Sequence, residues 1–144
     1  MQATMAALRR VRRVELMMAR AEAHRAGVDA SLAQAEVARS GAVMAALDRQ
    51  TADSVAGRQA LATDQLNGRR AVAEAQARSE TAAGRFRDSM RQAVQAQRTL
   101  EAVEARLRAE RRHETAQKLA RDLREVFVPD FSSGWGPNQD SFSG

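Results

Sequence analysis

Mostly apolar side chains, interrupted by Arg25, Gln97 and Glu104, recur at alternating steps of four and three residues in both halves of this chain, the heptad spacing of a coiled coil. In the first half these positions are Ala7, Val11, Val14, Met18, Ala21, Arg25, Val28, Leu32 and Ala35. In the second half they are Phe86, Met90, Ala93, Gln97, Leu100, Glu104 and Leu107, after which the phase shifts to Ala116, Leu119, Leu123 and Val126. The spacing predicts two long α-helices that pack along these seams.

The strongest turn signal between the two series is the dipeptide Asn67-Gly68, because both residue types tolerate the left-handed backbone conformation. The first proline is Pro129, so a helix is permitted over nearly all of residues 3–128. The sequence therefore predicts an all-α fold, a long antiparallel two-helix coiled-coil hairpin over residues 3–128 with its turn near 67–68.

A bend at this point also predicts the register of the hairpin, because residues that face each other should have numbers that sum to about 135. Val28 would face Leu107, and Leu32 would face Val103. Met44 and Leu47 would lie against Phe86 and Met90. The alternative is one continuous helix in a parallel dimer, for which this matching of apolar clusters would be a coincidence.

The second helix is expected to end at Val128-Pro129, because proline disfavours helical geometry in the residue before it. Residues 129–144 are rich in Gly, Ser and Pro and are expected to form a flexible tail. Three aromatic residues of this segment are either anchors of a short binding motif or unconstrained side chains: Phe131, Trp135 and Phe142.

Composition argues against several classes of function. The chain has no cysteine, which excludes disulfides and thiolate metal sites. It contains no glycine-rich phosphate loop, nucleophile motif or dense cluster of His and carboxylate residues, so we expect neither an enzyme nor a bound cofactor or metal. No apolar run is long enough to span a membrane, and a cytoplasmic protein without a cleaved signal is the simplest expectation.

The net charge is +5, and basic residues concentrate at the predicted open end of the hairpin, where the two helix termini meet. The candidate partner-binding residues there are Arg9, Arg10, Arg12, Arg13, Arg111 and Arg112. These residues form either a solvated helix face or a surface that docks an acidic protein through guanidinium groups. Nucleic acid is a less favoured partner, because the Arg residues are interleaved with Glu and the helices lack aromatics for base stacking.

An Arg-rich start, LRRVRRVELMMARAE, followed by heptads and a central turn resembles the flagellar export stalk family, FliJ, and its type III secretion counterparts of the YscO type. The resemblance covers about residues 3–128. It implies a non-catalytic coiled-coil component of a bacterial flagellar or type III protein export apparatus, located in the cytoplasm or at the cytoplasmic face of the inner membrane.

The same resemblance implies three partners: the hexameric export ATPase, the export gate protein and export chaperones. The basic open end would face the ATPase, and Met44, Leu47, Phe86 and Met90 would be candidates for the gate-facing surface. The alternative is a generic coiled-coil adaptor or structural protein, for example phage-encoded, that tethers partners through residues 129–144. The sequence leaves open flagellar or virulence-type secretion and a monomer or a dimer.

Overall fold

The computed structural model describes the backbone of residues 2–134 and the side chains of residues 3–126. Two helices account for nearly all of it, α1 (Gln2–Arg49) and α2 (Val55–Gly134). They pack against each other as an antiparallel hairpin, which confirms the predicted fold class. Ala and Arg are the most frequent residues of both helices, and both have favourable helix propensities.

The turn of the hairpin lies at residues 50–54, so the predicted turn at Asn67-Gly68 is wrong. Both residues lie inside α2, and none of the described glycines has a positive φ. Gly68 serves packing instead: a β-carbon at this position would lie 2.9 Å from Sδ of Met44 and 3.2 Å from Cδ1 of Leu47. The glycine signal therefore marks a close approach of the two helices.

Residues on both sides of the turn satisfy the helix ends. The hydroxyl Oγ of Ser54 accepts a hydrogen bond of 3.0 Å from the backbone N–H of Gly57, the geometry of an N-cap. At the end of α1, the carbonyl of Leu47 accepts bonds from the backbone of Gln50 (3.2 Å) and from Nε2 of Gln65 (3.3 Å). These contacts supply partners that the ends of both helices would otherwise lack.

Packing divides the helices into two units. Arg10–Leu100 form one, called here the turn unit, and the segments on either side of that range form the other, called the terminal unit. Within the turn unit, Phe86 packs over Gly27, and Nη2 of Arg78 lies 2.6 Å from Oε1 of Glu36. The numbers of such partners sum to about 114 instead of the predicted value of about 135, so the predicted register is wrong.

The seam of the turn unit keeps an unbroken heptad rhythm of buried and half-buried residues. On α1 it consists of Arg12, Leu16, Ala19, Ala23, Ala26, Ala30, Ala33, Val37, Ser40, Met44 and Leu47. On α2 it consists of Leu61, Gln65, Gly68, Val72, Ala75, Ser79, Ala82, Phe86, Ser89, Ala93, Ala96 and Leu100. Small residues therefore line most of the interface, and the predicted α1 seam is exposed instead.

The terminal unit buries Val103 and Leu107 of α2, with Met5, Arg9 and Glu110 half-buried. From there α2 continues through Pro129 to Gly134, so the prediction that it ends at Val128 is wrong. A proline inside a helix removes one backbone donor and crowds the carbonyl four residues earlier, at a cost of about 3 kcal/mol, but its fixed φ is compatible with the helix. The predicted flexible tail begins inside α2, and its remainder, residues 135–144, lies outside the described residues.

Candidate partner-binding surfaces

A long segment of α2, residues 111–126, contains no buried side chain. Every side chain from residue 111 to residue 126 is exposed, whereas Glu110 is still half-buried. Near Glu110 and Leu107 the neighbouring α1 residues are Ala6 and Arg9, close to the start of α1 at Gln2. We call residues 111–126 the single-helix extension, because α2 continues here as a helix without burial against α1.

The single-helix extension has an apolar face of its own. Large apolar side chains lie at steps of four and three residues, at positions 119, 123 and 126, and are between 50% and 61% exposed. Ala116 lies one step earlier in the same row. Such spacing places all four residues on one side of the helix. This face is suited to pack against another helix or a groove.

A small cavity lies in the terminal unit, between the start of α1 and the part of α2 just before the single-helix extension. It has a volume of about 120 Å³ and is lined by Ala6, Arg9, Leu107, Glu110 and Arg111. Nε of Arg9 is buried and lacks a hydrogen-bond acceptor among the described residues, and Glu110 is 3.9 Å from Nε of Arg106. The cavity therefore brings the side chains of Arg9 and Arg111 together beside Glu110.

The six arginines predicted at the open end are divided between the two units. Arg9 and Arg111 line the same cavity, and Arg112 begins the exposed segment of α2. Arg10, Arg12 and Arg13 belong to the turn unit. Arg12 occupies a seam position, and its Nη1 lies 2.8 Å from Oε2 of Glu15. The predicted roles of these arginines in binding a partner stay predictions.

The four residues predicted to face the export gate are also separated. Met44 and Leu47 contact Gly68, while Phe86 contacts Gly27, so these three belong to the hairpin core. Met90 is exposed and lines an open depression on α2. The other residues around this depression are Arg91, Val94, Gln95 and Arg98.

Two classes of site are absent from the described part of the chain. No group of three or more His, Cys, Asp or Glu residues there could hold a metal ion. Neither helix contains an apolar stretch of the length needed to cross a membrane, within the residues described.

Comparison with known proteins identifies no relative. No family model, curated protein or solved structure matches this chain. The resemblance to the export stalk family therefore stays a prediction.

Sequence reasoning recognised the apolar row of the extension but interpreted it as hairpin seam. The signal that α1 could not cover it was the phase shift after Arg111-Arg112, which moves the apolar row by two residues from the heptad series through Leu107. Two residues correspond to a rotation of about 200° on a helix. The row therefore lies on the side of α2 away from the seam.

Proposed function

We propose that this chain is a non-catalytic coiled-coil stalk that binds a hexameric protein export ATPase through the single-helix extension of α2. The exposure of residues 111–126 is the observation that carries the proposal. The resemblance of the sequence supplies the identity of the partner, a flagellar or type III export ATPase in the cytoplasm. The proposal extends to the export gate and the export chaperones as further partners.

The apolar row of the extension supports a role in docking. An isolated helical segment of this size is marginally stable in water, because most helix stability in proteins comes from packing an apolar face. Leu119 and Leu123 expose that face to solvent in the chain alone. A partner groove that covers them would stabilise the helix and bury apolar surface in one step.

Charge supports an acidic partner. The extension contains five basic residues, Arg111, Arg112, Lys118, Arg121 and Arg124, against the acidic residues Glu114, Asp122 and Glu125. Arg9 adds a further guanidinium group beside the start of the extension, where it lines a cavity with Arg111. Guanidinium groups form paired hydrogen bonds with carboxylates, so an acidic ring lining would be recognised with defined geometry.

The proposed mechanism is mechanical and allosteric. A single helix inserted in the pore of a ring contacts only some subunits at any moment, because its faces differ in charge and polarity. Contacts that are stronger in one subunit conformation shift the population of that conformation. The stalk would therefore regulate the assembly and the nucleotide cycle of the ring without performing chemistry itself.

The proposal is tested by adding the purified chain to a flagellar or type III export ATPase and measuring ATP hydrolysis and hexamer formation. We expect the wild type to accelerate hydrolysis, and the double variant Leu119→Gln/Leu123→Gln to lose this effect. Val55→Gln is the control, because Val55 is at least as exposed as either leucine but lies beside the turn. An unchanged rate and unchanged oligomerisation with wild-type chain would refute the proposal.

Removing residues 129–144 separates the stalk from the adaptor alternative. A stalk that acts through residues 111–126 should still activate the ATPase after this truncation. An adaptor that tethers partners through its C-terminal segment should lose partner binding instead.

A further inference from the structure

Helix α1 carries a second apolar row on the side that faces away from α2. Its positions in the turn unit are Val11, Val14, Met18, Ala21, Arg25, Val28, Leu32 and Ala35, called here the outer row. They are displaced by two residues from the buried seam, a rotation of about 200° that places them on the opposite side of the helix. The five large apolar members are between 45% and 67% exposed.

The length and regularity of the outer row distinguish it from scattered surface apolar residues. It follows the heptad rhythm from Val11 to Ala35, which corresponds to about 36 Å along the helix. Met17 widens it, with 69% of its surface exposed. A helix with apolar rows on two faces is packed on both faces when its assembly is complete.

One edge of the outer row is acidic. Four carboxylates follow it at intervals of seven residues, Glu15, Glu22, Asp29 and Glu36. Flanking charges of this kind select the partner helix in coiled coils. Glu15, Glu22 and Glu36 pair with Arg12, Arg25 and Arg78 in this structure, but these pairs are solvent-exposed, so each can be exchanged for a partner's cation at small cost.

Pairing of two outer rows from two copies of this chain is disfavoured in both directions. An antiparallel arrangement of two α1 helices places the acidic edge against itself, because equivalent edges then face each other. A parallel arrangement in register places Arg25 against Arg25 of the other copy, in the middle of the apolar row. Both arrangements bring like charges together, which is destabilising.

We propose that the outer row of α1 binds an amphipathic helix of another protein, one with an apolar heptad seam, a row of Lys or Arg along one edge and a carboxylate opposite Arg25. The apolar seam covers the outer row, and the basic edge matches the four carboxylates. This surface lies wholly in the turn unit. It is independent of the extension that carries the proposed function.

Two synthetic helical peptides test the proposal, both with a Leu seam and a central Glu, one with a Lys edge and the other with a Glu edge. Their affinities for the full chain are measured by fluorescence anisotropy. The Lys-edge peptide should bind about tenfold more tightly, the combined effect of several exposed ion pairs. Equal affinities of the two peptides would overturn the proposal.

Variants of the full chain locate the binding. Met18→Gln/Leu32→Gln should weaken binding of the Lys-edge peptide at least about tenfold, because it replaces two of the most exposed members of the row. Its free energy of unfolding should remain unchanged, which shows that the fold is intact. Val55→Gln is again the control. If the double variant bound the Lys-edge peptide as tightly as the wild type does, the proposal would be contradicted.

Sedimentation equilibrium tests whether a second copy of this chain, instead of another protein, covers the outer row. If the wild-type chain formed dimers that Met18→Gln/Leu32→Gln converted to monomers, the outer row would be a self-association surface. That result would overturn the assignment to a helix of another protein.

Discussion

The aromatic ring of Phe86 on α2 lies over Gly27 on α1, in the space that a larger residue at position 27 would occupy. A β-carbon built at Gly27 would lie 2.9 Å from Cε2 of Phe86 and 3.3 Å from Cδ2, whereas carbon atoms in good contact are roughly 3.5–4.0 Å apart. Alanine is the most frequent residue of the seam, and its small side chain fits several registers equally well. Phe86 and Gly27 therefore help to specify which register the two helices adopt.

The substitution Gly27→Ala should destabilise the hairpin. Alanine is favoured over glycine in a helix by roughly 1 kcal/mol, but forcing a methyl group against the Phe86 ring costs about 1–3 kcal/mol. We expect a net loss of up to about 2 kcal/mol in the free energy of unfolding, measured by urea denaturation with helical circular dichroism. The double variant Gly27→Ala/Phe86→Leu should recover part of this loss.

Gly41→Ala is the matched control for this substitution. Gly41 also lies inside α1, but a β-carbon at this position would meet no atom within 4 Å. We expect this variant to be more stable than wild type by up to about 1 kcal/mol. Equal stabilisation by Gly27→Ala and Gly41→Ala would show that the ring of Phe86 does not restrict position 27.

The register of the hairpin can be tested with paired cysteines, since the chain has none of its own. Met44→Cys/Gly68→Cys should be linked within one molecule by a short bismaleimide, because Met44 contacts Gly68. Met44→Cys/Met90→Cys should not, because position 90 lies about 33 Å further along α2. Efficient linking of the second pair, seen as a shift in gel mobility, would contradict the register.

Heptad spacing was enough to predict two antiparallel helices, but the sequence led to a wrong position for the turn and a wrong choice of seam. Asn67-Gly68 has the composition of a turn, yet Gly68 lies inside α2 in close contact with Met44 and Leu47. The true turn contains Thr51, Asp53 and Ser54, which are weak helix formers. All three are also residue types found at N-caps, and Ser54 is the one whose side chain caps α2.

The predicted α1 seam was wrong because the size of the side chains was taken as the sign of burial. Helix α1 has two heptad rows, and the prediction selected the row with the larger side chains, including Met18 and Leu32. The buried row contains five successive alanines from Ala19 to Ala33, which allow the helices to approach closely. The row that is buried in this hairpin is the one that lets the helices pack closely. The larger apolar residues of α1 therefore stay exposed on the outer row.

The ion pair between Glu36 and Arg78 joins the two helices of the turn unit, with 2.6 Å between Oε1 and Nη2. Both side chains are about half exposed, so solvent screens their attraction. A double-mutant cycle with Glu36→Gln and Arg78→Gln should give a coupling energy of about 0.2–1 kcal/mol. The coupling should decrease in about 1 M salt, and a salt-independent value would contradict this assignment.

Leucine-to-alanine substitutions at two places in α2 separate the paired part of the terminal unit from the single-helix extension. Leu107 is 6% exposed in the seam, whereas Leu123 is 50% exposed. Leu107→Ala should reduce the free energy of unfolding by about 2–5 kcal/mol, because it leaves a cavity. Leu123→Ala should change it by no more than about 0.5 kcal/mol, as measured by urea denaturation.

The same pair of variants reports on whether the extension is covered in the isolated chain. If Leu123→Ala were as destabilising as Leu107→Ala, the apolar face at residues 119–126 would already be packed, either against this chain or against a second copy. Repeating the measurement over a range of protein concentrations distinguishes these cases, because only association between copies makes stability depend on concentration. We expect Leu123→Ala to have a small effect on the free energy of unfolding that does not depend on protein concentration, because the apolar face of the extension binds a different protein.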